Sequence, residues 1–152
     1  MFEQFTQDTR RIVGYAMEEA RSLGDKRMGT EHLLLGALHE HGPAEVLGVS
    51  LDDARKAAAR LDASALEAIG FKSKDPVRVA MPTRGRKPPF SSGAKEVMAS
   101  MVKSAVEQKS RKITASSLLI SLLGREELDP VSALLEELKV DRQAVRERLL
   151  SQ

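Results

Sequence analysis

The chain has 152 residues, of which 41% are hydrophobic, 30% are charged and only 3% are aromatic, and its formal net charge is +2. Because cysteine is absent, disulfides, thiolate–zinc sites and cysteine nucleophiles are excluded. No apolar run approaches the roughly 18 residues of a membrane span, and the N-terminus lacks the features of a signal peptide, so we expect a cytoplasmic protein. The small net charge does not by itself favour a nucleic-acid partner.

The N-terminal half contains helical patterns that are separated by glycines. Apolar residues at i, i+3 and i+4 predict a helix over Thr6–Leu23 that Gly24 ends. Thr30 is expected to cap a second helix, which runs to about His39 and carries Glu31 in its first turn. Shorter helical segments are expected at Ala44–Leu47, Leu51–Leu61 and Asp62–Ile69.

Residues 71–89 differ in composition from their surroundings. They hold four of the six prolines, and six basic residues against one acidic residue, which predicts a basic linker. The residues Arg78, Arg84, Arg86 and Lys87 keep a nucleic-acid-binding hypothesis open, although no aromatic residues lie between them to stack on bases.

The helical pattern restarts at Phe90-Ser91, which matches Phe5-Thr6 at an offset of 85 residues. The register holds without a gap over two helices, and the second copy then has six more residues before its last helix. Asp129-Pro130 is expected to start a helix and Asp141 to cap the last one. The pattern predicts an all-α protein of two pseudo-symmetric four-helix repeats. We expect their boundaries at 1–70 and 90–152, with 71–89 between them.

Three stretches of the first copy resemble a known family. These are Phe5-Thr6 before a long helix, Met28-Gly29-Thr30-Glu31-His32-Leu33-Leu34-Leu35-Gly36, and Leu47-Gly48-Val49 before the last helix. They are similar to the Clp N-terminal repeat, which occurs in pairs at the front of ClpA- and ClpC-type AAA+ unfoldases. In the second copy, Thr114-Ala115-Ser116-Ser117 replaces the Gly-Thr-Glu-His motif, so that copy is degenerate.

The sequence does not predict an enzyme. It contains no Gly-x4-Gly-Lys-Ser/Thr phosphate loop, so it cannot hydrolyse ATP by that mechanism. Adjacent acids such as Glu18-Glu19 do not share a helix face, and no nucleophile motif accompanies them. We expect a protein-binding module without a cofactor, either an excised N-terminal domain or, as the degenerate second copy favours, a free-standing relative.

The resemblance implies a site at the start of the second helix. In ClpC-type domains the corresponding glutamate binds phosphoarginine on proteins marked for degradation, and a carboxylate beside a helix N-terminus suits a phosphoguanidinium. The pocket is then expected to comprise Thr6, Arg10, Thr30, Glu31 and His32. Ser91 and Ser116 belong to the degenerate second pocket, so we expect one competent pocket or none. Helix capping alone also explains Thr30-Glu31.

The resemblance also implies an apolar groove between the repeats, where ClpC-type domains bind adaptors and cyclic-peptide antibiotics. The residues that match this groove are Phe2, Val13, Pro89, Phe90 and Lys95. A hydrophobic staple or packing between the repeats also explains the phenylalanines, and both interpretations can hold together. The expected partners are protein substrates or adaptors of the Clp system. Alternatively, a free-standing chain competes for the ligands of a ClpC unfoldase, and so modulates or protects it.

The three histidines do not predict a metal site. His39-Glu40-His41 is followed directly by Gly42-Pro43, and no ligand set has the spacing of a structural or catalytic metal centre. His32 is expected to orient the start of the second helix through hydrogen bonds.

Overall fold

The computed structural model describes residues 4–70 and 87–151, and eight helices lie in these ranges. They are α1 (Gln7–Ser22), α2 (Thr30–Ala37), α3 (His41–Leu47), α4 (Leu51–Ala68), α5 (Ser92–Glu107), α6 (Ala115–Leu123), α7 (Pro130–Glu137) and α8 (Arg142–Leu150). The same ranges contain two isolated backbone bridges but no β-strand, and the all-α prediction is confirmed. Within them, no helix combines the length and apolar character needed to cross a bilayer.

The helices repeat with the offsets that the sequence predicts. Helices α1 and α5 each have 16 residues and start 85 positions apart, and α2 and α6 start at the same separation. Helices α4 and α8 start at Leu51 and Arg142, 91 positions apart, because the second copy has six more residues between its second and fourth helices. The prediction of two four-helix repeats is therefore confirmed.

The backbone conformation at the helix ends repeats as well. Gly24 and Lys109 follow α1 and α5 with φ values of 71° and 54°. Gly48 and Lys139 follow α3 and α7 with φ values of 70° and 59°. Glycine adopts this left-handed conformation without a steric penalty, whereas a side chain at the same position is disfavoured. The two copies therefore share one chain path although the first has glycine where the second has lysine.

Two backbone bridges join the repeats reciprocally. Phe5 pairs with Ile113, and Met28 pairs with Phe90, so the two bridges are related by the 85-residue offset. The Met28 amide donates to the Pro89 carbonyl at 2.8 Å. As a result, the start of α1 lies beside the start of α6, and the start of α5 lies beside the start of α2.

Apolar side chains from both repeats form one buried cluster, which supplies the main stabilising term of the fold. The largest fully buried side chains are Ile12, Met28, Leu33, Leu34, Leu35, Met101, Ile113, Leu118, Leu119, Leu122, Leu134 and Leu135. Gly36 allows α2 to approach α1 closely. A Cβ at this position would lie 2.5 Å from the Ile12 carbonyl oxygen and 2.8 Å from the Ala16 nitrogen. The first two helices therefore cross with almost no space between their backbones.

Two helix boundaries differ from the expectation. Helix α4 continues through Asp62 and Ser64, where the sequence suggests a second start. Both residues are exposed, and the helix continues through them without a break. Helix α3 begins at His41 and not at the expected Ala44, so Pro43 lies in its first turn. Its missing N–H removes no helical hydrogen bond there, because the first amides of a helix have no partner within it.

Candidate binding cleft at the start of α2

The start of α2 is built differently from the expected cap. Gly29 is the N-cap, and Thr30 is the first helical residue. The Thr30 hydroxyl donates to the Asp129 carboxylate and accepts the Val131 amide at 3.2 Å. Burial would raise the pKa of Asp129, but hydrogen bonds from Thr30 and Arg125 hold it below its usual value. Thr30 therefore connects α2 to the start of α7 in the second repeat.

His32 is buried between two carboxylates. Its Nε2 atom lies 2.7 Å from Asp25 Oδ2, and its Nδ1 atom lies 2.9 Å from Glu31 Oε1. Burial alone would lower the pKa of His32, but the hydrogen bonds to Asp25 and Glu31 raise it to about 9. At neutral pH the imidazolium form therefore predominates, and it donates from both ring nitrogens.

The same Nδ1 atom lies 2.9 Å from the Gly29 amide nitrogen. This contact and the Glu31 contact are alternatives, because Nδ1 carries either a proton or a lone pair. The charged ring donates to Glu31, whereas the neutral ring accepts the Gly29 amide and completes a helix cap. His32 thus orients the helix start in both states, but with a different partner in each.

A cleft of about 430 Å³ opens beside this cluster. The Glu31 side chain is 26% exposed, whereas the His32 side chain is only 4% exposed. Five further polar residues line the cleft: Asp25, Lys26, Arg27, Asp62 and Ser91. The cleft therefore offers carboxylates for a cationic group next to cations and a hydroxyl for an anionic group. These are the elements that a ligand carrying both charges requires.

Gly29 provides the space in which the Glu31 carboxylate lies. A side chain at position 29 would collide with Glu31 Oε1. The backbone of Gly29 is extended, with a φ of −97°, so any residue could adopt its conformation. Glycine at this position leaves room for the observed position of the Glu31 carboxylate, which a larger side chain would displace.

The structure does not group Thr6 with Glu31 as expected. Thr6 is the N-cap of α1, and its hydroxyl lies 3.3 Å from the Ile113 carbonyl, next to the start of α6. Ser91, the counterpart of Thr6 in the second copy, lines the Glu31 cleft instead. Because the bridges place the start of α5 beside α2 and the start of α1 beside α6, Ser91 and not Thr6 lies near Glu31. This corrects the predicted pocket, which grouped Thr6 with Glu31. Arg10 is exposed one turn further along α1.

The start of α6 has the same backbone path but different chemistry. Thr114 is its N-cap, and the Thr114 hydroxyl accepts the Ser117 amide at 3.2 Å. Ser116 stands at the position of Glu31, and Ser117 at the position of His32. The acid–histidine cluster of the first copy is therefore replaced by a hydroxyl cap.

The residues predicted for a groove between the repeats differ in exposure. Val13 is only 7% exposed and belongs to the core, so it is not available to a ligand in this conformation. Phe90 is half-buried against the core, whereas Pro89 and Lys95 are exposed. Phe2 lies outside the described residues.

The other histidines do not converge. His39 stacks on Tyr15 with 4.3 Å between ring centroids, and its Nε2 atom lies 2.9 Å from Glu19 Oε1. His41 pairs with Glu45 on the exposed surface of α3. Between residues 4 and 70 and between 87 and 151, no group of three or more side chains is arranged to hold a metal ion.

The basic linker contributes little to the described surface. Lys87 is exposed and leads into the bridge between Phe90 and Met28. Arg78, Arg84 and Arg86, on which the nucleic-acid hypothesis also depends, lie outside the described residues.

Several cleft residues were not predicted from the sequence. Three charged residues, Asp25, Lys26 and Arg27, lie in the short loop before the Gly-Thr-Glu-His motif. This cluster of charge could have indicated that they line the site. Asp62 gave no such signal, because only the packing of α4 brings it to the cleft. Ser91 could be predicted only from the Met28–Phe90 bridge, which places the start of α5 beside the start of α2.

The fold and the cleft together define an all-α domain of two fused, pseudo-symmetric repeats, with a charged cleft at the start of a central helix. Residues 4–138 match the family model of the Clp repeat (R) N-terminal domain. The chain belongs to this family, and the resemblance seen in the sequence is confirmed.

Known relatives extend the comparison. The chain is 32% identical over 155 residues to the ATP-dependent Clp protease ATP-binding subunit ClpA homolog of Guillardia theta and to chloroplastic chaperone protein ClpC1 of Arabidopsis thaliana. Both alignments cover 99% of this chain, but only 17% and 15% of the relatives. The chain therefore spans about one sixth of the length of these curated relatives. The solved N-terminal domain of the chaperone ClpD from Arabidopsis thaliana has a TM-score of 0.73 and 23% identity, covering 99% of this chain and 98% of that one, and supports the fold.

Proposed function

We propose that this chain is a protein-binding domain of a Clp chaperone system, which recognises substrates or adaptors without catalysing a reaction. Membership of the family supports this proposal, because the relatives are named as ATP-binding subunits of a Clp protease and as chaperones. The observation that carries it is the cleft beside Glu31, in which carboxylates and cations adjoin on an accessible surface.

The ligand that we propose for this cleft is a phosphorylated arginine side chain. Its planar guanidinium needs an acceptor, and the Glu31 carboxylate is one. Its phosphate needs cations and donors, for which the exposed Lys26 and Arg27 and the hydroxyl of Ser91 are suited. At neutral pH the charged His32 ring holds one Glu31 oxygen, which leaves the other for the ligand.

We expect one such site in the chain. At the start of α6 the position of Glu31 is occupied by Ser116, so a guanidinium would find no carboxylate there. Arg111 and Lys112 precede that start and would attract a phosphate. They would equally repel the guanidinium of the same ligand.

Calorimetric titration with free phosphoarginine tests the proposal. We expect one saturable site in the wild-type chain. Glu31→Gln keeps the shape of the side chain but removes its charge, and should weaken binding by about tenfold or more. Gly29→Ala should weaken binding as well, because it displaces the Glu31 carboxylate without removing it. Glu45→Gln removes an exposed carboxylate of α3 and is the matched control.

Each alternative outcome has a defined meaning. Two equivalent sites would contradict the proposal that the ligand binds at the start of α2 but not at the start of α6. No binding to the wild-type chain would overturn the phosphoarginine proposal. Equal binding of unmodified arginine would mean that Lys26, Arg27 and Ser91 do not recognise the phosphate.

A further inference from the structure

The second repeat carries a small open cleft that shares no lining residue with the Glu31 cleft. Its volume is about 290 Å³, and it lies between α5 and α6 with α8 at one edge. The polar residues around it are Ser100, Ser104, Ser121, Arg125 and Arg146. We refer to it as the Arg146 cleft.

The same place in the first repeat is filled by side chains. With the offsets of 85 and 91 residues, Ser100, Ser104, Gly124 and Arg146 correspond to Tyr15, Glu19, His39 and Arg55. Three of these four positions therefore lose a large or charged side chain in the second repeat, and only the arginine is kept.

In the first repeat the arginine has a carboxylate partner. The Arg55 Nε atom donates to Glu19 at 3.1 and 3.3 Å, and the His39 ring lies 2.9 Å from the same carboxylate. Burial would raise the pKa of Glu19, but the hydrogen bonds from Arg55 and His39 hold it below its usual value. The Tyr15 ring stacks on His39 and fills the remaining space.

The second repeat keeps the arginine, as Arg146, but has no carboxylate at the position of Glu19. Serine replaces Glu19 at position 104, and Arg146 has no ion pair within residues 4–70 and 87–151. The neighbouring Arg125 is already bound to Glu96 at 2.8 Å and to Asp129 at 2.8 Å. The Arg146 cleft is therefore a basic space with three hydroxyls and no carboxylate among its lining residues.

We propose that the Arg146 cleft binds the carboxylate of a glutamate or aspartate side chain from a partner protein. The first repeat provides the template, because Arg55 there holds a carboxylate in the equivalent place. Guanidinium and hydroxyl groups are the donors that a carboxylate requires. The open volume, from which a tyrosine and a histidine ring are missing, admits the rest of the side chain. This site is independent of the phosphoarginine proposal.

Nuclear magnetic resonance titration of the full chain with N-acetylglutamate N-methylamide tests this site. We expect saturable shifts at Ser100, Ser104 and the side chain of Arg146. The glutamine analogue, which lacks the charge, should bind at least about tenfold more weakly. Arg146→Gln should abolish the shifts, whereas Arg111→Gln, at an exposed arginine outside the cleft, should retain them.

Other results would overturn the proposal. Equal shifts with both analogues, or shifts that survive Arg146→Gln, would exclude a carboxylate site at Arg146. Tighter binding of inorganic phosphate at the same residues would show that the cleft recognises phosphate instead. Glu31→Gln should leave the titration unchanged, so failure of the phosphoarginine proposal does not affect this test.

A second variant tests the template directly. Ser104→Glu places the missing carboxylate on α5 and should satisfy Arg146 from within the chain. We expect it to abolish ligand binding and to raise the Tm by about 2 °C. The rise must disappear in the Arg146→Gln background, since the gain requires both partners. An equal rise in both backgrounds would contradict the proposal, because it would reflect helix propensity alone.

Discussion

The two repeats have the same backbone path, but one ion pair between equivalent positions has its charges exchanged. In the first, Arg11 of α1 pairs with Glu40, with 2.9 Å between Nε and Oε1. In the second, the residues 85 positions later are Glu96 of α5 and Arg125, which pair at 2.8 Å. The ion pair is thus kept while its polarity is reversed. The comparison teaches that the apolar register fixes the helix positions, while individual polar residues on the helix surfaces differ between the copies.

The starts of α2 and α6 also differ in their polar side chains. The first has an acid–histidine cluster and an accessible cleft, whereas the second has a hydroxyl cap. Both starts are held by equivalent backbone bridges, at Met28 and Ile113. The difference in binding that we propose therefore lies in side chains alone.

The largest effect should come from the proton on His32. Its pKa is raised from an ordinary value of 6.5 to about 9, so the charged form is stabilised by folding. The contribution to stability is complete below pH 6.5 and is lost as the pH rises to about 9, by up to about 3 kcal/mol. Urea unfolding from pH 6 to pH 10 measures it, and His32→Gln provides the curve without this titration.

The difference between the two unfolding curves isolates His32 from the other groups that titrate in this range. We expect the wild-type chain to lose stability relative to His32→Gln as the pH rises. Parallel curves would mean that folding does not raise the pKa of His32. The second repeat has Ser117 at this position, which does not titrate in this range, so it should add no pH dependence to the free energy of unfolding.

The next largest effect concerns the closeness of α1 and α2. Gly36→Ala places a Cβ 2.5 Å from the Ile12 carbonyl oxygen, so the helices must separate. We expect a loss of about 2 kcal/mol in the free energy of unfolding, since overpacking outweighs the better helix propensity of alanine. Chemical denaturation measures the change.

Two substitutions serve as controls for Gly36→Ala. Gly14→Ala makes the same chemical change in α1 where nothing lies within 4 Å of the new Cβ, and should stabilise the chain slightly. Ser121→Ala at the equivalent position of α6 should have little effect, because a side chain is already accommodated there. Destabilisation by Gly14→Ala as large as that by Gly36→Ala would contradict the close-crossing explanation.

The sequence was sufficient to predict the helices and their repeat, because apolar spacing and glycine stops are local signals. It placed α1 and α5 in register and identified the Gly-Thr-Glu-His motif. It did not predict that Thr6 lies beside the start of α6 and Ser91 beside the start of α2. That arrangement depends on the bridges between residues about 60 to 110 positions apart, which no local pattern records.

The chemistry of the site was only partly predictable for the same reason. Thr30 was expected to cap its own helix, as its residue type favours, but its hydroxyl bonds instead to Asp129 of the second repeat. The Arg146 cleft has no motif at all. It becomes visible only when the positions of Glu19 and Ser104 are compared in the folded repeats.

The smallest effect should come from the helix ends, where the comparison of the copies predicts the sign. Lys109 and Lys139 adopt φ values of 54° and 59°, at positions where the first copy has Gly24 and Gly48. Replacing either lysine by glycine removes a conformational penalty of about 1–2 kcal/mol, from which the greater flexibility of glycine in the unfolded chain subtracts about 0.5–1 kcal/mol. We expect each substitution to stabilise the chain by about 0.5–1 kcal/mol and to raise the Tm by a few degrees. Lys103→Gly, within α5, makes the same chemical change at a helical position and should destabilise by about 1 kcal/mol. A loss of stability in Lys109→Gly and Lys139→Gly as well would contradict this prediction. It would mean that contacts of the two lysine side chains outweigh the backbone penalty of the left-handed conformation.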